Sequence, residues 1–280
     1  MSSDFIRAFS RNRGAVVGVF ILGVTFLVAI FADVLFPMSP WDMAGAPFTH
    51  PFEAGAWLGT DTLGRDIASG IAHGARVSLL VGFVATGAAV SIGVLLGAVA
   101  GYHGGRIDSA IMHFTELFQT IPNFVLVVVT VAIFTPSLVS IVSAIALVSW
   151  PPLARLVRGE FLALRSREFV QAAITSGQST TTIIVHQILP NSLSPIIVSA
   201  SLMVATSILL ESSLSFLGLG DPNAMTWGFM IGSARTVLRQ AWWMSFFPGV
   251  AILLTVLSLN LIGEGLNDAF NPRLRRNRRA

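Results

Sequence analysis

Six apolar runs, each long enough to cross a bilayer as a helix, leave this chain few ways to fold. They occupy residues 15–36, 77–101, 110–134, 137–157, 192–217 and 244–266, and about 20 apolar residues suffice for one crossing. Lipid offers no water to the backbone, so each N–H and C=O must be satisfied within the helix itself. The expected fold is an all-α polytopic membrane protein of six transmembrane helices. A composition of 54% hydrophobic and 11% charged residues, with mean hydropathy +0.76, excludes an ordinary soluble domain. The first run follows Arg11-Asn12-Arg13, but it is too long for a signal-peptide core and no clean small-x-small cleavage site follows. It reads as an uncleaved anchor.

The basic residues set the expected orientation. All 17 are arginine, and with both termini in the cytoplasm only Arg65, Arg76, Arg235 and Arg239 lie outside. That asymmetry is the one the positive-inside rule favours. A net charge of +3, with arginines dispersed among loops, makes no nucleic-acid surface. The absence of cysteine excludes a disulfide framework and a thiolate metal site. The absence of lysine excludes the phosphate loop whose lysine reaches the terminal phosphates of ATP. If ATP drives this protein, the ATPase is another polypeptide, and a cytoplasmic docking element is required.

Segment 158–191 is where such an element is expected. It is polar and helix-coded twice, with a glycine between the two parts. Ser166 is suited to cap a first short helix over 168–176, with Glu168 in its first turn. Gln171-Ala172-Ala173 offers a face with little bulk, and Gly177 permits a sharp turn. Ser179 is suited to cap a second helix running into Leu189-Pro190. The bland alternative is an amphipathic helix lying on the membrane, with Phe161, Leu164 and Phe169 dipping into lipid.

Ordered motifs along the whole chain carry a resemblance. They are Gly59-Thr60-Asp61 with Leu63-Gly64-Arg65-Asp66, Gly74-Ala75-Arg76, Gly101-Tyr102-His103-Gly104-Gly105, Gly177 with Leu189-Pro190, the run from Glu211 to Gly220, Trp227-Gly228, Phe247-Pro248-Gly249 and Asn260-Leu261-Ile262-Gly263. In this order they resemble the inner-membrane permease subunit of dipeptide, oligopeptide and nickel ABC importers, of the kind usually called the C subunit. Segment 158–191 resembles that family's EAA loop.

The resemblance implies a type I importer permease fold with a cytoplasmic coupling helix, in the bacterial inner membrane. It implies half of a translocation path for di- or oligopeptides, with nickel or another small solute as the alternative cargo. A second, related permease completes the path in a heterodimer. Two ATPase subunits carry ATP and Mg, an extracytoplasmic binding protein delivers substrate, and this chain binds no cofactor and is not an enzyme. The ATPase-coupling residues it implies are Glu168, Gln171, Ala172, Ala173, Gly177, Leu189 and Pro190. Two positions depart from the family pattern: Gln171 replaces the signature glutamate, and Gln187 stands at its isoleucine position. Glu168, one turn earlier, is the substitute candidate for the charged contact.

Three further features invite a reading. Gly93, Gly97 and Gly101 recur at four-residue spacing, which lets helix backbones approach closely in lipid; static packing is favoured over a sliding contact. Glu116 and Glu211 are carboxylates within apolar runs and so candidates for the translocation path, against the alternative that each pairs with a nearby donor. The extracytoplasmic loop 37–75 begins proline-rich, and there Thr60 or Asp61 is a candidate cap and Arg65 a candidate partner of Asp61 or Asp66. It is either a docking and gating element or a self-folded lid. Three parts are thus expected: residues 1–75 with the first helix and outer loop, a permease core over 76–270, and a basic tail over 271–280.

Two other function classes find less support in the sequence. A proton-coupled secondary carrier would use Glu116 and Glu211 as titrating sites, but no inverted repeat is visible. An aspartyl protease, suggested by Gly218-Leu219-Gly220-Asp221, lacks a second membrane aspartate facing it. No His-Glu-x-x-His zinc motif exists, and His186 is a lone helical histidine.

Overall fold

Caps and breakers set the helix boundaries in this computed structural model, which describes residues 3–270. The basic tail expected over 271–280 lies outside the described residues. Helix α1 (Ser3–Arg11) leads into α2 (Arg13–Ile30), where Asn12 accepts the Ala15 N–H at 3.0 Å, and α2 is followed by a single turn, α3 (Ala32–Leu35). After a long loop, Asp66 caps α4 (Ile67–His103) by accepting from Ala68 and Ser69. This 37-residue helix begins ten residues before the apolar run at 77. At 1.5 Å per residue it spans about 55 Å, so one end projects well beyond a hydrocarbon core of about 30 Å.

The third run is not one helix. It breaks into α5 (Gly105–Thr120) and α6 (Asn123–Ile133), inclined at 82° to one another. Pro122 forces its predecessor out of the helical region, and Ile121 is extended at φ −93°, ψ 131°. The chain continues through α7 (Leu138–Arg165), α8 (Glu168–Thr175), α9 (Thr180–Thr182), a π-helical turn (Ile183–Ile188), α10 (Leu189–Phe216), α11 (Trp227–Ala234) and α12 (Trp243–Phe270). Among the described residues five helices are long and apolar enough to cross a membrane, or six spans if the bent pair counts as one.

The glycine stripe explains the closest packing. A Cβ on Gly97 would stand 2.5 Å from the Ala154 carbonyl oxygen and 2.7 Å from the Val157 Cβ; one on Gly101 would meet Phe161 Cβ at 2.6 Å. Backbone of α4 therefore lies directly on α7, inside one subunit. On the other side of α4, Leu79 joins Val204, Ile208, Ile252 and Leu259 in a core shared with α10 and α12. Arg76 staples the end of α2 to α4. Its guanidinium grips Asp33 at 2.8 and 3.0 Å, bonds the Ile30 carbonyl at 2.9 Å and reaches that of Ala29, satisfying carbonyls the helix end would leave open.

The loop between α3 and α4 folds on itself rather than forming strands. Thr60 accepts from the Thr49 N–H at 2.8 Å and donates to the Ala46 carbonyl at 2.7 Å, while Trp243 Nε1 donates to the Thr60 carbonyl at 3.1 Å. A side chain at Gly59, where φ is +83°, would collide with that indole at 2.8 Å. The loop is thereby tied to the start of α12.

Candidate functional site

The elbow between α7 and α10 is a helix on a tight bend. At its start Ser166 does not cap α8. It ends α7 instead, its hydroxyl donating back to the Ala163 carbonyl at 3.3 Å, and Arg167 takes the N-cap position without a side-chain bond. At its end Gly177 adopts φ +75°. There the Gly177 N–H bonds the Ile174 carbonyl at 3.0 Å and the Gln178 N–H bonds that of Ala173 at 3.2 Å, the paired closure that a left-handed residue after a helix allows. No atom stands within 4 Å of a Cβ at Gly177, so backbone conformation, not crowding, demands glycine. Ser179 caps the next turn, accepting from the Thr182 N–H at 3.3 Å.

The two faces of α8 differ. Val170 and Ala173 are buried against Phe161, Ile183 and Ile188, with Leu189 packed alongside. Glu168, Phe169, Gln171 and Ala172 are exposed, as is Pro190. Ala173, grouped in the sequence with Ala172 as part of a bare face, is therefore a seat into the subunit's own core. Gln171 has a specific local use: its Nε2 donates to the Arg165 carbonyl at 3.0 Å, closing the end of α7. A carboxylate has no proton to give there. Pro190, which lacks an N–H, follows the π-helical turn, a form that recurs at functional sites in other helices.

Polar contacts tie this elbow to the rest of the bundle. Arg158 of α7 holds Asp108 of α5 with both carboxylate oxygens, at 2.5 and 2.6 Å. The Arg165 guanidinium lies 5.8 Å from the Tyr102 ring at the α4 end. The sequence offered no pointer to the Asp108–Arg158 pair beyond its two charges, which stand 50 residues apart.

The two carboxylates in apolar runs have opposite surroundings. Glu211 is 1% exposed, enclosed within the subunit. Its Oε1 accepts from Ser215 at 2.8 Å and from Thr226 at 2.7 Å, and Thr226 in turn caps α11 by accepting from the Phe229 N–H at 2.9 Å. Glu211 therefore fastens α11 to α10, with Ser212 and Ser215 of its own helix also bonded to the carboxylate. Glu116 is exposed on α5 and has no hydrogen-bond or ion-pair partner among the described residues. Ser109, His113 and Thr120, also exposed, share its face at helical spacing. That 3-and-4 recurrence of polar residues is the signal by which the stripe was readable in the sequence.

In the long loop Asp61 accepts the backbone N–H groups of Leu63 and Arg65 at 2.8 and 2.9 Å, and Asp66 caps α4. Arg65 pairs with neither. Its guanidinium lies 4.8 Å from the Trp41 ring, with Nε buried and unpartnered among the described residues. Turn-forming backbone claims both carboxylates first, so the arginine takes the aromatic face.

Comparison with known proteins places this architecture. Residues 93–276 match the binding-protein-dependent transport system inner membrane component, and residues 1–51 match the N-terminal membrane domain of oligopeptide transport permease C. The dipeptide transport system permease protein of Alkalihalophilus pseudofirmus is 42% identical over 97% of this chain and 90% of its own length. The corresponding protein of Bacillus subtilis is 39% identical over 98% and 87%, and the oligopeptide transport system permease protein of Haemophilus influenzae is 38% identical over 96% and 88%. An inward-facing methionine ABC transporter chain superposes with a TM-score of 0.58 at 16% identity, covering 74% of this chain and 95% of that one. These matches, with the multi-pass helical fold, show that the chain belongs to the binding-protein-dependent transport system inner membrane components, the non-enzymatic permease subunits of ABC importers.

Proposed function

We propose that this chain forms half of the translocation path of an ATP-driven importer of di- or oligopeptides, and that α8 is where the ATPase pushes. The cargo follows from relatives whose names are dipeptide and oligopeptide permeases. The observation that carries the coupling role is the two-sidedness of α8, with Val170 and Ala173 seated in the core and Glu168, Phe169 and Ala172 left exposed. A force transmitter must be short, rigid and anchored to what it moves. Glu168 is the charged contact on the exposed face, since the Gln171 amide already serves the end of α7.

In this reading a second, related permease completes the path, two ATPases carrying ATP and Mg grip the elbows, and an extracytoplasmic protein delivers peptide. Both termini and the elbow face the cytoplasm, as the arginine distribution favours. ATP binding draws the ATPases together, α8 carries the motion into α7 and α10, and the path opens outward; hydrolysis resets it. Ligand and nucleotide bias two states a few kcal/mol apart. Energy source and sidedness are the tests. Collapsing ion gradients while ATP is held constant leaves uptake intact, and a Ser179→Cys variant, free of competing thiols, is labelled only by reagents that enter the cytoplasm. Uptake that dies with the gradient refutes the proposal.

A further inference from the structure

We propose that the polar stripe of α5 lines a hydrated passage in which Glu116 receives the protonated amine of the solute. The inference rests on the reading of this chain as half of a translocation path, and adds to it a residue and a ligand chemistry. Depth comes first. Phe114 and Phe118 pack on Trp150, with ring centroids 5.9 and 5.4 Å apart, so the turn carrying Glu116 lies level with Trp150. Trp150 stands twelve residues into α7, about 18 Å along it at 1.5 Å per residue, which is near the middle of a hydrocarbon core of about 30 Å.

Direction comes second. At 100° per residue, Glu116 projects about 160–200° away from Phe114 and Phe118, opposite the face that packs on α7. Ser109, His113 and Thr120 share that direction, and all are exposed. Asp108, the nearest other carboxylate on α5, is consumed by Arg158. A lone carboxylate directed into lipid at this depth is costly, which favours a stripe that faces water or a polar partner. The adjacent break at Pro122, with α6 inclined at 82°, opens the turn after Thr120 instead of continuing a sealed helix. A passage with one unpaired negative charge selects a cationic group, and an ammonium supplies the compact charge and the donors that a carboxylate accepts.

The test uses the assembled complex in proteoliposomes, with a single cysteine at Thr120, four residues from Glu116. Cationic and anionic methanethiosulfonates are compared, each rate normalised to that on a free thiol, with and without ATP. Unit charges about 6 Å apart in a water-like dielectric give the cationic reagent an advantage of about tenfold. That advantage is expected to vanish in the Glu116→Gln background, while a cysteine at the buried Thr115 stays silent. Equal rates for both reagents in both backgrounds overturn the proposal. So does the absence of reaction in either nucleotide state, which means that the stripe is packed against the partner permease or lipid. Wild-type complex that imports peptide in the same vesicles, yet shows no charge preference, leaves the transport reading standing and removes this one.

Discussion

Replacing Gly97 with alanine adds one methyl group at the tightest contact between α4 and α7, and the cost can be worked out from the geometry. The new Cβ would stand 2.5 Å from the Ala154 carbonyl oxygen and 2.7 Å from the Val157 Cβ. Ordinary contact is about 3.5 Å or more, so the helices must separate by several tenths of an ångström, and such a gap forfeits a quarter to a half of each dispersion well along the seam. Overpacking of this kind typically costs about 1–3 kcal/mol, against about 1 kcal/mol gained in helix propensity over glycine. The expected net loss is about 0–2 kcal/mol relative to wild type, and about 1–3 kcal/mol relative to an alanine that meets no clash. Gly87, with nothing within 4 Å of its Cβ, is the control: alanine there is neutral or mildly stabilising. The assay is unfolding of the purified subunit in mixed micelles by increasing fractions of denaturing detergent. If Gly97→Ala is as stable as Gly87→Ala, the proposed backbone contact does not exist.

Two further outcomes follow from the polar contacts. Glu211→Leu strands the Thr226 and Ser215 hydroxyls, so it lowers stability in the same assay by about 1–3 kcal/mol and exposes α11 to protease; Glu211→Gln, which keeps the accepting oxygen, loses less. Asp108→Asn or Arg158→Gln alone removes half of a partly buried ion pair and costs about 1–3 kcal/mol, whereas exchanging the two residues recovers most of that loss; a swap no better than the singles removes the pair as a structural link.

What could be read in advance was what local chemistry decides. Apolar length placed the spans, glycine spacing identified the face of α4 that meets α7, and the turn at Gly177 and the cap at Ser179 followed from residues within a few positions of one another. What escaped depended on partners far along the chain. The bond from Thr226 to Glu211 depends on the chain folding back at the next helix, and Arg65 finds Trp41 because Asp61 and Asp66 are committed to backbone N–H groups. The break at Pro122 was visible as a residue but not as an event, because spanning helices often absorb a proline with only a kink. Gln171 was legible as a departure, yet its bond to the Arg165 carbonyl required the bend at Ser166 to be known.

The central claim is that an engine in another polypeptide drives this subunit through the exposed face of α8. Ala172→Arg tests it most directly, because the position is exposed, arginine is a good helix former and the seat formed by Val170 and Ala173 is untouched. The measurement is ATP-dependent peptide uptake by the reconstituted complex, with the subunit's own stability checked in parallel. The account predicts a stable subunit whose uptake falls by more than about tenfold, as expected when a bulky charge costing at least 1.4 kcal/mol is forced into a close interface. Uptake at the wild-type rate would contradict it.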